Sequence, residues 1–475
     1  MNDHELLAAN ARDLHDLYRS RSLSPVDVAR ACLEAAHRHQ ERFCAFSLID
    51  DERALAAARA SQERFARKEP LGPLDGIPGT IKDLVLAEGW PTRRGSHTTG
   101  DPAPETRDAP VVRALRATGM VFLGKTTTPE FGWKALTDNP LGEIARNPWN
   151  ERMTAGGSSG GAAIAAALGM GVMHIGTDGG GSIRIPAGLT GTVGLKPTFG
   201  RVPAYPPSPY GTVSHVGPMT RSVVDTALML DAMSVADLDD WYAVPAPAMR
   251  FADALDARSR EGGFAGMRIA VSPDLGFIDV HPDVLDLFEQ AVSVFARLGA
   301  RIKRVTPPLG QPFRLFTDHW YTGAANLLET IPEGLQDRID PGLREIASKG
   351  RELSSTRQRH AQLERARLGT AMQQFFADHD LLLTPSVAIP AFEAGHEVPP
   401  GSGLERWIEW AGFSYPFNLT QQPAMSVPAG LTAQGLPAGL QIVGAKFDEG
   451  KVLAAAAAFE AARPWPRLAP PATTP

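Results

Sequence analysis

Apolar residues recur at helical spacings through the first part of the chain: Leu6, Leu7, Leu14 and Leu17, then Val26, Val28 and Leu33. Ser24-Pro25 reads as an N-cap followed by proline at the first helical position. Ala54 to Arg67, rich in Ala and Arg, continues the pattern, so residues 5–68 are expected to be helical. From Leu71 the texture changes to short apolar runs between glycines and prolines. Ile77–Ile81, Met120–Leu123 and Val172–Ile175 read as strands, with Val111–Ala117 and Gly161–Leu168 as intervening helices. Such alternation predicts an α/β core. After a polar connection over 234–265 come a strand at Met267–Val271, an amphipathic helix at Pro282–Leu298 and a long charged helical pattern from Leu343 to Phe376. Leu381–Leu383, Met425–Pro428 and Leu440–Val443 read as strands, and Lys451–Ala462 as an Ala-rich helix. The tail, Pro464–Pro475, holds five prolines and is expected to fray. No internal repeat is visible.

These elements sort into an N-terminal helical segment (1–70), an α/β half (71–234), a variable helical region covering it (235–415), a return to the core sheet (416–463) and a Pro-rich tail (464–475). A length of 475 residues allows about three domains or one large α/β unit. With 43% hydrophobic and 21% charged residues, wholesale disorder is excluded. The balance of 47 basic against 53 acidic residues, without a basic block, argues against a nucleic-acid partner. Mean hydropathy is -0.15, and no apolar run approaches the ~18 residues of a membrane span. Cys32 and Cys44 are too few for a zinc cluster or a disulfide framework, although one bridge between them stays open. The acidic start, Met1-Asn2-Asp3-His4-Glu5, is unlike a signal peptide, and a cytoplasmic location is expected. Glycine (46) and proline (40) are over-represented, chiefly between about 70 and 220.

That glycine-rich stretch contains two decoys. Gly119 to Thr126 fits the phosphate-loop pattern G-x-x-x-x-G-K-[ST]. A phosphate loop must be a polar turn after a strand, so that its N–H groups converge on phosphate. Here the intervening Met120–Leu123 is itself the strand, and Pro129 interrupts the helix that should follow. Gly157-Ser158-Ser159-Gly160-Gly161 fits the nucleophile-elbow pattern G-x-S-x-G, but Glu151–Gly156 makes a poor buried strand. Histidines follow at 174, 215 and 281, so a Ser-His-Asp hydrolase stays open as a rival on order alone. His37 and His39 point to different sides of a helix, no H-E-x-x-H occurs, and neither a metal nor a cofactor is expected.

What remains is a constellation: a short apolar strand ending in Lys82, a double-serine glycine loop around Ser158, and Gly176–Pro186 with Ser182 behind three glycines. Together with Asn147-Pro148-Trp149, Gly194-Leu195-Lys196-Pro197-Thr198, Asn418-Leu419 and Ser426-Val427-Pro428, these segments resemble the amidase signature family of serine hydrolases. The likeness covers most of 70–230 and resumes near the C-terminus, while 235–415 carries no matched motif.

The resemblance implies one large α/β/α unit around a mixed sheet. It also implies a triad of Ser182 as nucleophile, Ser158 as bridging serine and Lys82 as base. A serine needs a base within hydrogen-bond reach, and a lysine serves once burial lowers its pKa. Gly179, Gly180 and Gly181, lacking Cβ atoms, can turn successive N–H groups toward an oxyanion, although relatives often carry a larger residue at the place of Gly179. Asp178 and Arg184 are expected to pair as structural supports. Trp133, and less firmly Thr177, are candidates for substrate contact, with core packing the competing reading for Trp133. The implied reaction is hydrolysis of a C–N amide bond through an acyl-serine, on a small-molecule amide. Esters, carbamates and anilides are open by the same intermediate. The rivals are the A-type subunit of a tRNA-dependent amidotransferase and a non-catalytic binding protein. The resemblance leaves room for a homodimer.

Overall fold

The computed structural model describes residues 2–260 and 264–470. Thirteen strands are found there: β1 (Phe46–Ile49), β2 (Pro78–Lys82), β3 (Val121–Thr126), β4 (Arg146–Asn147), β5 (Asn150–Thr154), β6 (Met173–Asp178), β7 (Val193–Lys196), β8 (His215–Thr220), β9 (Arg268–Val271), β10 (Arg301–Arg304), β11 (Leu381–Pro385), β12 (Ala424–Leu431) and β13 (Pro437–Gly444). Eleven of them form one mixed sheet in the order β1-β3-β2-β6-β8-β7-β12-β13-β11-β9-β10, and β4 pairs with β5 alone. β2 runs parallel to both β3 and β6, whereas β8, β7, β12 and β13 pair antiparallel in succession. Helices flank the sheet, so the α/β class read from the sequence is what the chain adopts.

The N-terminal region is helical as expected, with one exception. Ser24 caps the helix Pro25–Phe43 in a reciprocal box with Asp27, but β1 interrupts the run before the helix Asp51–Arg67. The pattern hid β1 because it is four residues long and, as an edge strand, mostly half-buried. The 235–415 region contributes three strands to the same sheet, and one of them, β10, escaped the pattern. Its Arg301, Lys303 and Arg304 are exposed charges on the other edge, where charge discourages pairing with another chain. The polar connection over 234–265 contains the helix Phe251–Arg260. The long pattern from 343 to 376 divides into Pro341–Arg351 and Ser355–Asp378, with Ser354 capping the second.

The tail also differs from expectation. Trp465 Nε1 donates to Arg221 O, Ala469 N donates to Ala167 O, and Arg467 pairs with Glu460, so the chain is tied down to Ala469. Residues 471–475 lie outside the described residues. Cys32 and Cys44 are both free thiols, and burial pushes the Cys32 thiol up to about 11. No helix among the described residues is long and apolar enough to cross a membrane.

The first decoy resolves as a strand. Lys125 and Thr126 extend β3 rather than opening a helix. Lys125 is fully buried, with Asp83 at 3.0 Å and the Pro91 carbonyl and Thr92 hydroxyl as further partners.

Candidate active site

Three parallel neighbours, β3, β2 and β6, place the chemistry at the ends of β2 and β6. Lys82 closes a strand whose five residues are all buried. Thr177 and Asp178 close β6, and the loop after it carries Gly179 to Ser182 into the helix Arg184–Thr190. Ser158 and Ser159 come from the glycine loop that opens the helix Gly160–Ala167. One hydroxyl braces that loop: Thr137 Oγ1 donates to Gly156 O and accepts from Gly160 N. The Gly157–Ser158 peptide is cis.

Lys82 Nζ lies 2.6 Å from Ser158 Oγ, 2.9 Å from Ser159 Oγ and 2.9 Å from Thr177 Oγ1. The side chain is fully buried, and desolvation pushes its pKa well below the ordinary lysine value, with the charge of Asp178 as a partial counterweight. Ser159 Oγ also donates to Thr177 O and accepts from Thr177 N. Its single hydrogen is committed there, so toward Lys82 it can only accept. Ser159 N donates to Ser182 O, which fastens the two loops to each other. Ser182 is 5% exposed, and its hydroxyl takes part in no hydrogen bond among the described residues. The Ser158–Ser182 link expected from the triad is therefore not closed at hydrogen-bond distance, as is common before substrate draws a site together.

Asp178 and Arg184 pair as expected, both fully buried. Burial alone would raise the Asp178 pKa. The Arg184 guanidinium, its hydrogen bonds and that of Asn418 overturn this and hold the carboxyl far below the usual range. Asp178 Oδ1 accepts from Gly181 N at 2.8 Å, and Oδ2 from Ile183 N at 3.2 Å, so the pair sets the shape of the loop before Ser182. Arg184 reaches on to Ser414 O, Gln441 Oε1 and Asn418 Oδ1, tying the loop to the C-terminal part of the sheet. Asn418 carried a matched motif in the sequence without a role. Gln441, a partner of Arg184, and the second lysine neighbour Ser159 were not readable as such.

Two expected substrate contacts sit differently. Thr177 turns its hydroxyl to Lys82. Trp133 is 1% exposed. Its ring packs against Gly342, where an added Cβ would lie 2.6 Å from Cη2, and Lys134 Nζ stands over it. Its backbone carbonyl accepts from Trp320 Nε1, and its side chain belongs to the same buried cluster as Phe316 and Trp320. Trp133→Ala is accordingly expected to cost about 3–5 kcal/mol of stability and to slow large and small acyl substrates alike. Melting temperature measured beside the ratio of the two rates checks this, and a selective loss for large acyl groups would return the ring to the pocket.

That aromatic group has no counterpart in the motif reading. Phe316 and Trp320, four apart on one face of the helix Phe313–Glu329, lie over the Gly179–Gly181 loop with Trp407. Tyr210 stacks on Trp320 at 3.8 Å and 13°, and Tyr415 stacks on Phe316 at 4.7 Å. Burial raises the Tyr210 pKa, and its hydroxyl has no partner among the described residues. Tyr210 also lines a cavity of about 740 Å³ with His319 and Thr322. Among the described residues no group of three or more His, Cys, Asp or Glu could hold a metal ion.

A central mixed sheet, a buried lysine among hydroxyls and a glycine loop braced by an aspartate–arginine pair define a serine hydrolase of the amidase type. The pattern of the Amidase family matches residues 27–453. An acylamidase of Rhodococcus erythropolis is 36% identical, over 98% of both chains. The A-type chain of the glutamyl-tRNA(Gln) amidotransferase of Geobacter metallireducens is 32% identical over 97% of this chain and 98% of its own. A bacterial aryl acylamidase of the amidase signature family superposes with a TM-score of 0.87 at 30% identity, covering 96% of both chains. The chain belongs to the amidase family. It is an amidase, cleaving a C–N amide bond through an acyl-serine intermediate.

Proposed function

We propose that Ser182 is the nucleophile, Ser158 the proton relay and Lys82 the base, and that the chain acts alone as an acylamidase on amides bearing an apolar, aromatic group. The observation that carries this reading is the 2.6 Å contact of Lys82 Nζ with Ser158 Oγ, with only neutral hydroxyls at hydrogen-bond distance from the amine among the described residues. A buried ammonium would need a counter-charge. A neutral amine has two N–H groups and one lone pair, which suits three hydroxyl neighbours. Ser159 and Thr177 accept the two N–H groups, and Ser158 donates to the lone pair.

Attack then follows. Ser158 passes its proton to Lys82 while accepting that of Ser182, whose oxygen bonds to the amide carbon. The resulting oxyanion is stabilised by N–H groups of the 179–182 loop other than that of Gly181, which the Asp178 carboxylate already takes, contrary to the donor role expected of it. The proton returns through Ser158 to the leaving nitrogen, the C–N bond breaks, and the amine departs. Water, activated along the same relay, releases the carboxylate and regenerates Ser182. No cofactor enters any step.

Aromatic preference is supported by the rings of Phe316, Trp320 and Trp407 over the loop and by the name of the aryl acylamidase that the chain resembles in structure. The two unpaired thiols support a reducing, cytoplasmic location. The deciding experiment is turnover by the purified chain of aromatic nitroanilides, acetyl nitroanilide and glutamine. Aromatic amides are expected to be cleaved without any partner or nucleotide, with kcat/KM at least about tenfold above glutamine. Glutamine hydrolysis that starts only when the partner chains of an amidotransferase are added would establish the amidotransferase reading instead.

A further inference from the structure

The three glycines before Ser182 differ in why they must be glycine. Only Gly181 has a positive φ, 125°, which L-residues rarely adopt. Gly179 and Gly180 lie outside the left-handed range, so backbone conformation does not exclude a side chain there. Room does. A Cβ on Gly179 would lie 2.8 Å from Trp320 Cζ3 and 3.1 Å from Cη2, and one on Gly180 would lie 2.8 Å from both Phe316 Cζ and Trp407 Cη2. The place that a side chain at position 179 would take is filled by the six-membered ring of one indole.

That indole is held on every side. Tyr210 stacks on it, Phe316 stacks at 5.4 Å, Trp407 meets it edge-on at 5.7 Å, and its Nε1 donates to Trp133 O at 3.1 Å. Gly323, on the same helix, leaves the space for Tyr210, since a Cβ there would come within 2.6 Å of Tyr210 Cδ1. On its inner side the loop is pinned by the Asp178 carboxylate through Gly181 N. At the Gly179 end the carbonyl of the Asp178–Gly179 peptide accepts from Asn418 Nδ2 at 2.9 Å, with His215 Nδ1 3.2 Å away, and the ring of Trp320 stands where a side chain on Gly179 would be.

We infer that Trp320 is a positioning residue for the oxyanion loop, acting through Gly179: the ring and the missing side chain form a matched pair that fixes where the loop's N–H groups aim. This rests on the assignment of Ser182 and its loop made above. Donors aimed at a developing oxyanion act in the transition state, so a shifted loop should lower kcat and leave KM nearly unchanged. A misplacement near 1 Å is enough for a loss of about a hundredfold.

The test is a double-substitution cycle on the purified full chain with an aromatic nitroanilide. Gly179→Ala alone is expected to lower kcat about 10- to 100-fold, with KM within about threefold of wild type and the melting temperature little changed. Trp320→Phe removes the ring atoms that meet the new Cβ while keeping an aromatic face for Tyr210. It is expected to lower kcat about threefold to tenfold by loosening the loop. In the Trp320→Phe background, Gly179→Ala is expected to cost nothing further, so the two effects do not multiply. Multiplying effects, a change confined to KM, or losses that track melting temperature across the set would overturn the inference. Ser182→Ala, run in parallel, separates the two readings. If it retains turnover, the assignment of the nucleophile fails. If it is inactive while Gly179→Ala matches wild type, only the role of Trp320 fails.

Discussion

Ser182→Ala is expected to lower kcat by about 10⁵- to 10⁶-fold, the scale on which losing the nucleophile of a catalytic unit acts. It should leave the melting temperature where it was. The hydroxyl of Ser182 makes no hydrogen bond among the described residues, so its removal breaks no contact of the fold, and a change without such a loss usually stays within about 0.5 kcal/mol. What the backbone of Ser182 does is retained by alanine, including acceptance of the Ser159 N–H. The same substitution should abolish covalent labelling by a fluorophosphonate. The rival nucleophile is Ser159, and the geometry separates the two. Ser159 Oγ accepts from Lys82 and Thr177 N and donates to Thr177 O, which leaves it without a lone pair aimed at a carbonyl. The strand before it, β5, belongs to a two-stranded ribbon and is half exposed, whereas an elbow rides on a central strand. Labelling that survives in Ser182→Ala and is lost in Ser159→Ala would reverse the assignment.

How much of this was legible in the sequence follows from how local each signal is. β2, β3 and β6 are apolar runs closed by glycines, and their ends carry Lys82, Thr177 and Asp178, so the strands and the site came from the same stretches. The pairing of Asp178 with Arg184 spans six residues and was readable as such. The partners that complete the network lie more than two hundred residues away: Ser414, Asn418 and Gln441 on Arg184. No periodicity encodes such contacts. Phe316 and Trp320 showed a helical spacing, but that spacing says only that they share a face. Which loop the face covers depends on the sheet order, in which β9 and β10 follow β11 at one edge. The spatial reason for Gly179 is hidden for the same cause. Taken alone, a glycine run signals backbone freedom. Only the ring of Trp320, 141 positions on and supplied by a region without motifs, shows that at this position glycine serves for space.

Lys82 carries the second large effect, and its pH dependence is the sharper test. Lys82→Met is expected to lower kcat/KM by about 10²- to 10⁴-fold, the usual worth of a positioned acid–base group. Lys82→Arg should be no better, because a guanidinium stays protonated and has no lone pair to accept the Ser158 proton. Ser158→Ala should be milder than either, since water can take the place of a bridging hydroxyl. As the proposed base, Lys82 works only as the free amine. Activity should therefore fall as pH drops through the Lys82 pKa and level off above it. Burial lowers that pKa well below the 10.5 of an ordinary lysine, with Asp178 opposing only in part, so the rising limb belongs far to the acid side of where an exposed lysine would put it. Neither of the other fully buried lysines is placed to produce it. Lys125 sits against Asp83, and Lys196 is turned to the carbonyls of Pro197 and Gln422. The residual activity of Lys82→Met should lose this limb and run flat across the range where the wild type climbs. If the limb persists unchanged in Lys82→Met, a different group titrates there, and the role of base passes from Lys82 to it.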